Sequence, residues 1–357
     1  MTDKPKVLIT GAGGEIGHEL ISFLSNEGRF DVVALDLNPL PEDSASKCLA
    51  VYSGDILNRE LLAEIEQQHH FDVIFHLAAI LSTGGEKNPE RTHEVNSNGS
   101  FNLLALARKQ TEAAGRSTIF IFPSTIAVYG IRSIEEKYKA GPVTEEQFLE
   151  PITMYGVNKL YVENLGRYYS SHYKLLREGE IPPRIDFRAV RFPGLISTET
   201  VPTGGTSDYA AEMIHAAARG VKYDCFVSED STIPFMVMPD AVHALIQLSR
   251  ADAAKLTQRV YNVTSFSLSA GDFKREIHKF MPSADIRFAP GIKRQSIVRS
   301  WPAELSDLAA RRDWSWRPQY GRSDAFERYL IPGILARYDT QQSGEPTCEA
   351  ASQMQER

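Results

Sequence analysis

The sequence predicts an α/β chain built on a doubly wound parallel sheet, with a smaller α/β lobe on the C-terminal side. Three observations lead there. Between Lys6 and Pro123, short β-branched runs alternate with longer stretches that place apolar residues at helical spacing, the pattern of successive βαβ units. The strand runs are apolar almost without interruption, which implies burial on both faces of a sheet. The first strand then runs directly into Gly11-Ala12-Gly13-Gly14-Glu15-Ile16-Gly17, a glycine-rich turn that opens a helix.

Taken in order, strands are expected at residues 7–10, 32–36, 49–52, 73–77 and 119–122, with helices over 16–27, 59–69 and 98–114. A long aromatic-rich helix follows at 155–173, then a polar, proline-containing surface connection at 177–184 and a strand at 185–191. Helices at 208–219, 240–249 and 269–280 alternate less regularly with short strands such as 260–263. Residues 1–195 are therefore expected to form the sheet domain. Residues 196–340 mainly form a second lobe, with some segments returning to the core sheet, and 341–357, polar and without period, form a disordered tail.

Composition narrows the function classes. A chain of 357 residues with 42% hydrophobic content can bury a sizeable core. Its net charge of -7 offers no basic footprint for a phosphate backbone, so no nucleic-acid partner is expected. No apolar run approaches the roughly 20 residues that span a bilayer, and the opening residues lack signal-peptide architecture, so no membrane partner and a cytoplasmic location are expected. Cys48, Cys225 and Cys348 are odd in number and far apart, which provides neither a disulfide framework nor a CxxC site. His69, His70, His76 and His93 form no paired-ligand spacing, and no metal is expected.

The glycine turn can tighten and let backbone N–H groups approach a pyrophosphate at the positive end of a helix, with Gly11, Gly14, Glu15, Ile16 and Gly17 as the candidate cofactor residues. Asp36 ends the second strand, nineteen residues beyond Gly17, where a carboxylate accepts hydrogen bonds from the ribose hydroxyls of NAD and repels the 2′-phosphate of NADP. NAD is the expected cofactor. Asp55 and Ile56, and Leu77, Ala78 and Ala79, follow the third and fourth strands at carboxyl ends, where such sheets bind ligands; Asp55 is placed to reach the adenine amino group. Tyr155 and Lys159 are four apart on one helix face, and an ammonium there favours tyrosinate, a proton acceptor from an alcohol. Pro123-Ser124-Thr125 closes the fifth strand with hydroxyls for the reacting oxygen.

The glycine turn, His76-Leu77-Ala78-Ala79, the segment from Ser124 to Gly130 and Tyr155-Gly156-Val157-Asn158-Lys159 together resemble the extended short-chain dehydrogenases over about the first 195 residues. That resemblance implies a Rossmann-type fold, Thr125 as the active-site hydroxyl, Tyr155 as acid/base, Lys159 as its tuner and nicotinamide-ribose contact, and Asn96 as a further cofactor-site residue. Relatives acting on nucleotide sugars carry an asparagine after the sixth strand and an arginine–aspartate pair near the sheet's far edge. Here Arg191-Phe192-Pro193-Gly194 and the run from Ile233 to Asp240 stand in those places, so the diphosphate clamp is missing. Gly85-Glu86-Lys87-Asn88-Pro89, Gly204-Gly205-Thr206-Ser207-Asp208-Tyr209-Ala210, Ser300-Trp301-Pro302 and Arg312-Asp313-Trp314 are similar to the short-chain L-threonine 3-dehydrogenases over nearly the whole chain.

This narrower resemblance implies NAD-dependent oxidation of the 3-hydroxyl of L-threonine to 2-amino-3-oxobutyrate. Ser82, Thr125, Tyr155, Thr206 and Trp301 are its substrate-binding candidates, and the Gly204-Gly205 segment a loop that closes over a small amino acid. It also implies a homodimer through the two long helices, 98–114 and 155–173. Two departures stand beside it: an insertion at 131–150, and Val237 where these relatives usually carry tyrosine. The alternatives left open are a dehydrogenase of another small 3-hydroxy acid, a UDP-sugar 4-epimerase and a non-catalytic NAD-binding regulator.

Overall fold

The computed structural model describes residues 4–179, 182–202 and 204–342. The predicted tail lies outside the described residues except for its first two, which end the helix Ile331–Gln342. The predicted connection at 177–184 is described only in part.

Seven strands form the central sheet in the order Val260–Asn262, Asp186–Phe192, Ile119–Thr125, Val73–His76, Lys6–Thr10, Asp31–Asp36, Ala50–Ser53. Every pairing in it is parallel. Val73–His76 and Asp186–Phe192 are buried at every residue, as a sheet covered on both faces requires, and in the second the buried charges of Asp186, Arg188 and Arg191 are ion-paired. Successive side chains in a strand point to opposite faces. Val7 and Ile9 accordingly pack with Leu20, Ile21 and Leu24 of the helix Glu15–Glu27, while Leu8 packs with Leu103, Leu104 and Ala107 of the helix Ser100–Ala114 on the other side. Each fully buried leucine stabilises the layer by about 1.5–3 kcal/mol.

Chain order reverses between Lys6–Thr10 and Val73–His76, the two neighbours in the middle of the sheet. A crevice opens beyond the carboxyl ends of strands at such a switch point. Thr10 and His76 therefore mark where a ligand site is to be sought.

A second, three-stranded sheet joins Gly194–Ile196, Thr232–Val237 and Phe266–Ser269, with one parallel and one antiparallel pairing. Its core gathers Tyr209, Met213, Phe235, Phe273 and Phe326. Ile126, Tyr129, Ile131 and Val143 join this core too. Within the 131–150 segment, the helix Ile134–Ala140 carries Lys137, whose buried Nζ donates to the Val298 carbonyl at 3.2 Å, and Pro142–Val143 pairs with Glu304–Leu305. Chain therefore crosses the division at residue 195 in both directions, since Val260–Asn262 returns to the central sheet.

Two predicted helices differ in kind. The 155–173 helix is α-helical only over Met154–Arg167 and continues as a π-helical turn, Tyr168–His172; the 98–114 helix begins at Ser100 after a π-helical turn, Glu94–Gly99. No helix among the described residues is long and apolar enough to cross a membrane.

Candidate active site

Gly11 turns the chain at the end of the first strand with φ of 69°, and a Cβ there would sit 2.6 Å from the Ala78 nitrogen. Only glycine fits. Gly17 packs as closely, its Cβ position lying 2.5 Å from the Ala12 carbonyl oxygen. Gly14 caps the helix Glu15–Glu27 without any side-chain hydrogen bond, so the first-turn N–H groups have no side-chain acceptor. That arrangement suits an anionic ligand. Asp36 accepts from Gly13 N at 2.9 Å and from Asn38 N at 3.0 Å, and a carboxylate engaged twice retains acceptor positions for two ribose hydroxyls.

These residues line one end of a cleft of about 920 Å³, the upper range for small-molecule sites. Asp55, Ile56, Leu77, Ala78 and Ala79 line it as well. Asp55 is more heavily engaged than its sequence context indicates: Leu57 N donates to Oδ1 at 2.9 Å and Arg91 Nη2 pairs with Oδ2 at 2.7 Å.

Asn96 is the exception among the predicted cofactor residues. It is buried on the π-helical turn away from the cleft lining, where its Oδ1 accepts from Ile80 N at 2.8 Å and its Nδ2 donates to Ile80 O at 2.9 Å. The side chain fixes the backbone that follows the fourth strand. His76 holds the same turn from below, with Nδ1 2.7 Å from Thr10 Oγ1 and Nε2 2.8 Å from Ser100 Oγ. Ser100 donates its proton to the Asn96 carbonyl, so it accepts from Nε2–H, and Nδ1 accepts from Thr10. Burial, with the Lys159 charge adding to it, pushes the imidazole down to about 3, which keeps this tautomer neutral.

At the other end of the cleft the helix Met154–Arg167 begins at Thr153, whose hydroxyl accepts from Gly156 N at 3.1 Å. Gly156 seats the helix on the turn Ile126–Val128, since a Cβ there would come 2.0 Å from the Ala127 carbonyl. Tyr155, Lys159 and Thr125 all line the cleft, and Thr125 Oγ1 accepts from Ala127 N at 3.2 Å. Lys159 Nζ donates to the Pro123 carbonyl at 2.7 Å and lies 4.4 Å over the Phe122 ring and 5.6 Å from the Tyr155 ring centre.

Electrostatics differ here from the expectation that Lys159 lowers the tyrosine. Burial pushes the Tyr155 phenol up to about 12, with only the Thr125 hydroxyl pulling it back. Burial also pushes the Lys159 amine down to about 7, against the pull of Glu163. Glu163, one turn further along, is itself fully buried; Arg191 Nη2 pairs with it at 2.6 Å and Ser124 Oγ donates to it at 2.5 Å. Arg191 is thereby committed to the core and not presented to the cleft. Asp240, the last residue of the other diphosphate-clamp position, accepts from Gln319 N, Tyr320 N and Ser265, and Phe235–Val237 are fully buried strand residues.

The substrate candidates assemble across long sequence distances. Ser82 Oγ lies 3.1 Å from Thr206 Oγ1, Thr83 donates to the Gly204 carbonyl at 3.0 Å, and Arg294 reaches the same carbonyl. Ser82, Thr206 and Trp301 share the cleft with Thr125, Tyr155 and Lys159. Sequence reasoning missed Glu86, which accepts from Met154 N at 2.9 Å, together with Lys87 and Arg91 in the lining. The motif at residues 85–89 draws in Glu86 and Lys87 only as part of a resemblance, without a role for either side chain.

A model of the NAD dependent epimerase/dehydratase family matches residues 7–264. The chain belongs to this family. Among its relatives, the mitochondrial L-threonine 3-dehydrogenase of Bos taurus is 33% identical over 319 residues, covering 89% of this chain and 80% of that protein. The L-threonine dehydrogenase of Phytophthora infestans superposes with a TM-score of 0.78 at 33% identity, covering 94% of this chain and 99% of the other. A monomeric L-threonine 3-dehydrogenase from a metagenome, solved in apo form, gives 0.78 at 34% identity over 93% and 99%. Epimerase/dehydratase membership carries with it a nicotinamide cofactor. The glycine cradle, open first-turn amides and half-used Asp36 carboxylate fit one.

Proposed function

We propose that this protein is an NAD-dependent L-threonine 3-dehydrogenase. The observation that carries the proposal is the single cleft in which the Thr125–Tyr155 hydroxyl pair and Lys159 meet Ser82, Thr206 and Trp301 at one end and the glycine turn with Asp36 at the other. The substrate 3-hydroxyl sits between Thr125 and Tyr155. Tyr155, as tyrosinate, takes its proton, Thr125 holds the oxygen, and Lys159 delivers the proton outward through its own ionisation near neutrality. Bound NAD would supply the hydride acceptor for carbon 3 and a cationic ring favouring the tyrosinate that burial alone opposes. Ser82 and Thr206 orient the amino acid, and Asp36 selects NAD over NADP.

The buried Arg191 and Phe235–Val237 leave the sugar-diphosphate reading without its donors, and the Tyr155 set gives a mere sensor a proton acceptor it does not need. The test is Tyr155→Phe, followed by NADH absorbance with L-threonine. The expected loss in kcat is about 10²- to 10⁴-fold; near-wild-type turnover would overturn the assignment, and turnover of other 3-hydroxy acids in preference to L-threonine would move the substrate.

The same reading includes a cytoplasmic location, compatible with the free Cys48 and Cys225, and a homodimer. Phe101 on one long helix and Val157 and Tyr161 on the other are exposed, as a helix-pair interface requires. Sedimentation equilibrium at micromolar concentration checks it, a monomer mass counting against the dimer as the metagenome relative does.

A further inference from the structure

We infer that Lys87 is the cationic partner of the cofactor's pyrophosphate, carried over the cleft by a strap formed from the short helices Ser82–Lys87 and Pro89–His93. The inference rests on the dinucleotide reading above and adds to it a residue on the bank opposite the glycine turn.

Charge bookkeeping along the cleft leads to it. The lining carboxylates are Glu15, Asp36, Asp55 and Asp208, and the lining cations are Lys87, Arg91 and Lys159. Glu15 stands in the first turn of the very helix whose N-terminus faces the ligand, with Glu19 one turn on. Burial and the neighbouring Glu15 and Glu199 push Glu19 up to about 7, a sign of how acidic this bank is. A pyrophosphate brings two further negative charges, and backbone amides supply hydrogen bonds but no net charge. Lys159 is spent on Pro123 O beneath Tyr155, and Arg91 is spent on Asp55 and Glu94. Lys87 has no hydrogen bond or ion pair with any described residue, and it is the one lining cation left to meet that charge.

The strap's anchoring fixes where Lys87 falls. At one end Ser82 and Thr83 reach Thr206 and the Gly204 carbonyl, beside the Tyr155 end of the cleft. At the other end Arg91 reaches Asp55, beside Ile56 and the adenine end. Between them Glu86 is turned to the catalytic helix, accepting from Met154 N, and His93 Nδ1 meets Asn158 Nδ2 at 3.1 Å on the same helix. Lys87 lines the cleft and falls in chain order between the anchor at the Tyr155 end and the anchor at the Asp55 end, as the pyrophosphate of a dinucleotide falls between nicotinamide and adenine.

The experiment compares wild type, Lys87→Met and Lys87→Arg for binding of NAD, ADP-ribose and adenosine by calorimetry at several salt concentrations, with no turnover involved. Lys87→Met should weaken NAD and ADP-ribose each about tenfold, flatten their salt dependence and leave adenosine unchanged, with Lys87→Arg recovering most of the loss. Unchanged ADP-ribose affinity, or an equal loss for all three ligands from a disturbed strap, overturns the assignment while the dinucleotide reading stands. Failure of wild type to bind NAD or ADP-ribose at all sinks the dinucleotide reading itself, and this inference with it.

Discussion

On the Gly11–Gly17 side of the cleft, position is set by backbone against backbone: Gly11 against Ala78 and Gly17 against Ala12, with no room for a Cβ at either. The Ser82–Arg91 side is held by side chains instead, reaching to Thr206, Gly204, Met154, Asn158 and Asp55. The difference teaches that one bank is a fixed cradle encoded in seven consecutive residues, while the other is assembled from segments more than a hundred residues apart and can be retuned one hydroxyl or charge at a time.

Substitution tests that contrast directly. Gly17→Val should be the most damaging, because a backbone oxygen 2.5 Å from the new Cβ cannot move without shifting the whole turn. NAD affinity is expected to fall by more than about 100-fold, two or more hydrogen bonds' worth, or the protein to lose its fold; NAD titration with circular dichroism as a control reads this, and retained affinity breaks the cradle argument. Thr206→Val on the other bank should leave the fold and NAD affinity intact and raise KM for L-threonine about tenfold, the value of one hydrogen bond. If steady-state kinetics show the loss in NAD binding instead, the two banks are not separable.

The smallest effect concerns Lys137, buried behind the catalytic turn with a single carbonyl partner. Its amine is pushed by burial from 10.5 to about 7, so between those values the unfolded chain binds a proton that the folded chain lacks, and its contribution makes stability rise with pH. Lys137→Met removes that contribution. The variant should gain a few degrees of melting temperature over wild type at pH 7 and progressively less toward pH 10 in paired thermal scans. An equal difference at both values would show that the amine is charged in the fold.

What was legible in the sequence follows the same divide. Strands apolar throughout, the glycine turn, Asp36 and the Tyr155–Lys159 spacing are local patterns, and each lies where local physics places it. The packing of Asn96 was not legible because what occupies its amide is the backbone of Ile80, sixteen residues upstream, which no periodicity reports. The three-stranded sheet stayed hidden because an apolar run such as Ile233–Met238 fits strand, helix or loop equally until its partners Gly194–Ile196 and Phe266–Ser269 are known. The π-helical turns at Glu94–Gly99 and Tyr168–His172 add a residue to a helical pattern without altering its composition. Lys87 was passed over for another reason: an exposed lysine after a Gly-Gly-Glu run acquires meaning only when every other cation in the cleft is seen to be taken.

The order in which the central sheet is completed bears on how the chain is made. Its last strand, Val260–Asn262, reaches the ribosome exit long after its neighbour Asp186–Phe192. Throughout that interval the nascent protein presents the unpaired edge of a strand that is buried along its whole length in the finished sheet, a template for association with other chains. Synthesis rate and chaperone supply, more than the equilibrium stability of the finished molecule, should therefore govern the soluble yield, and truncations ending before Asn262 should aggregate.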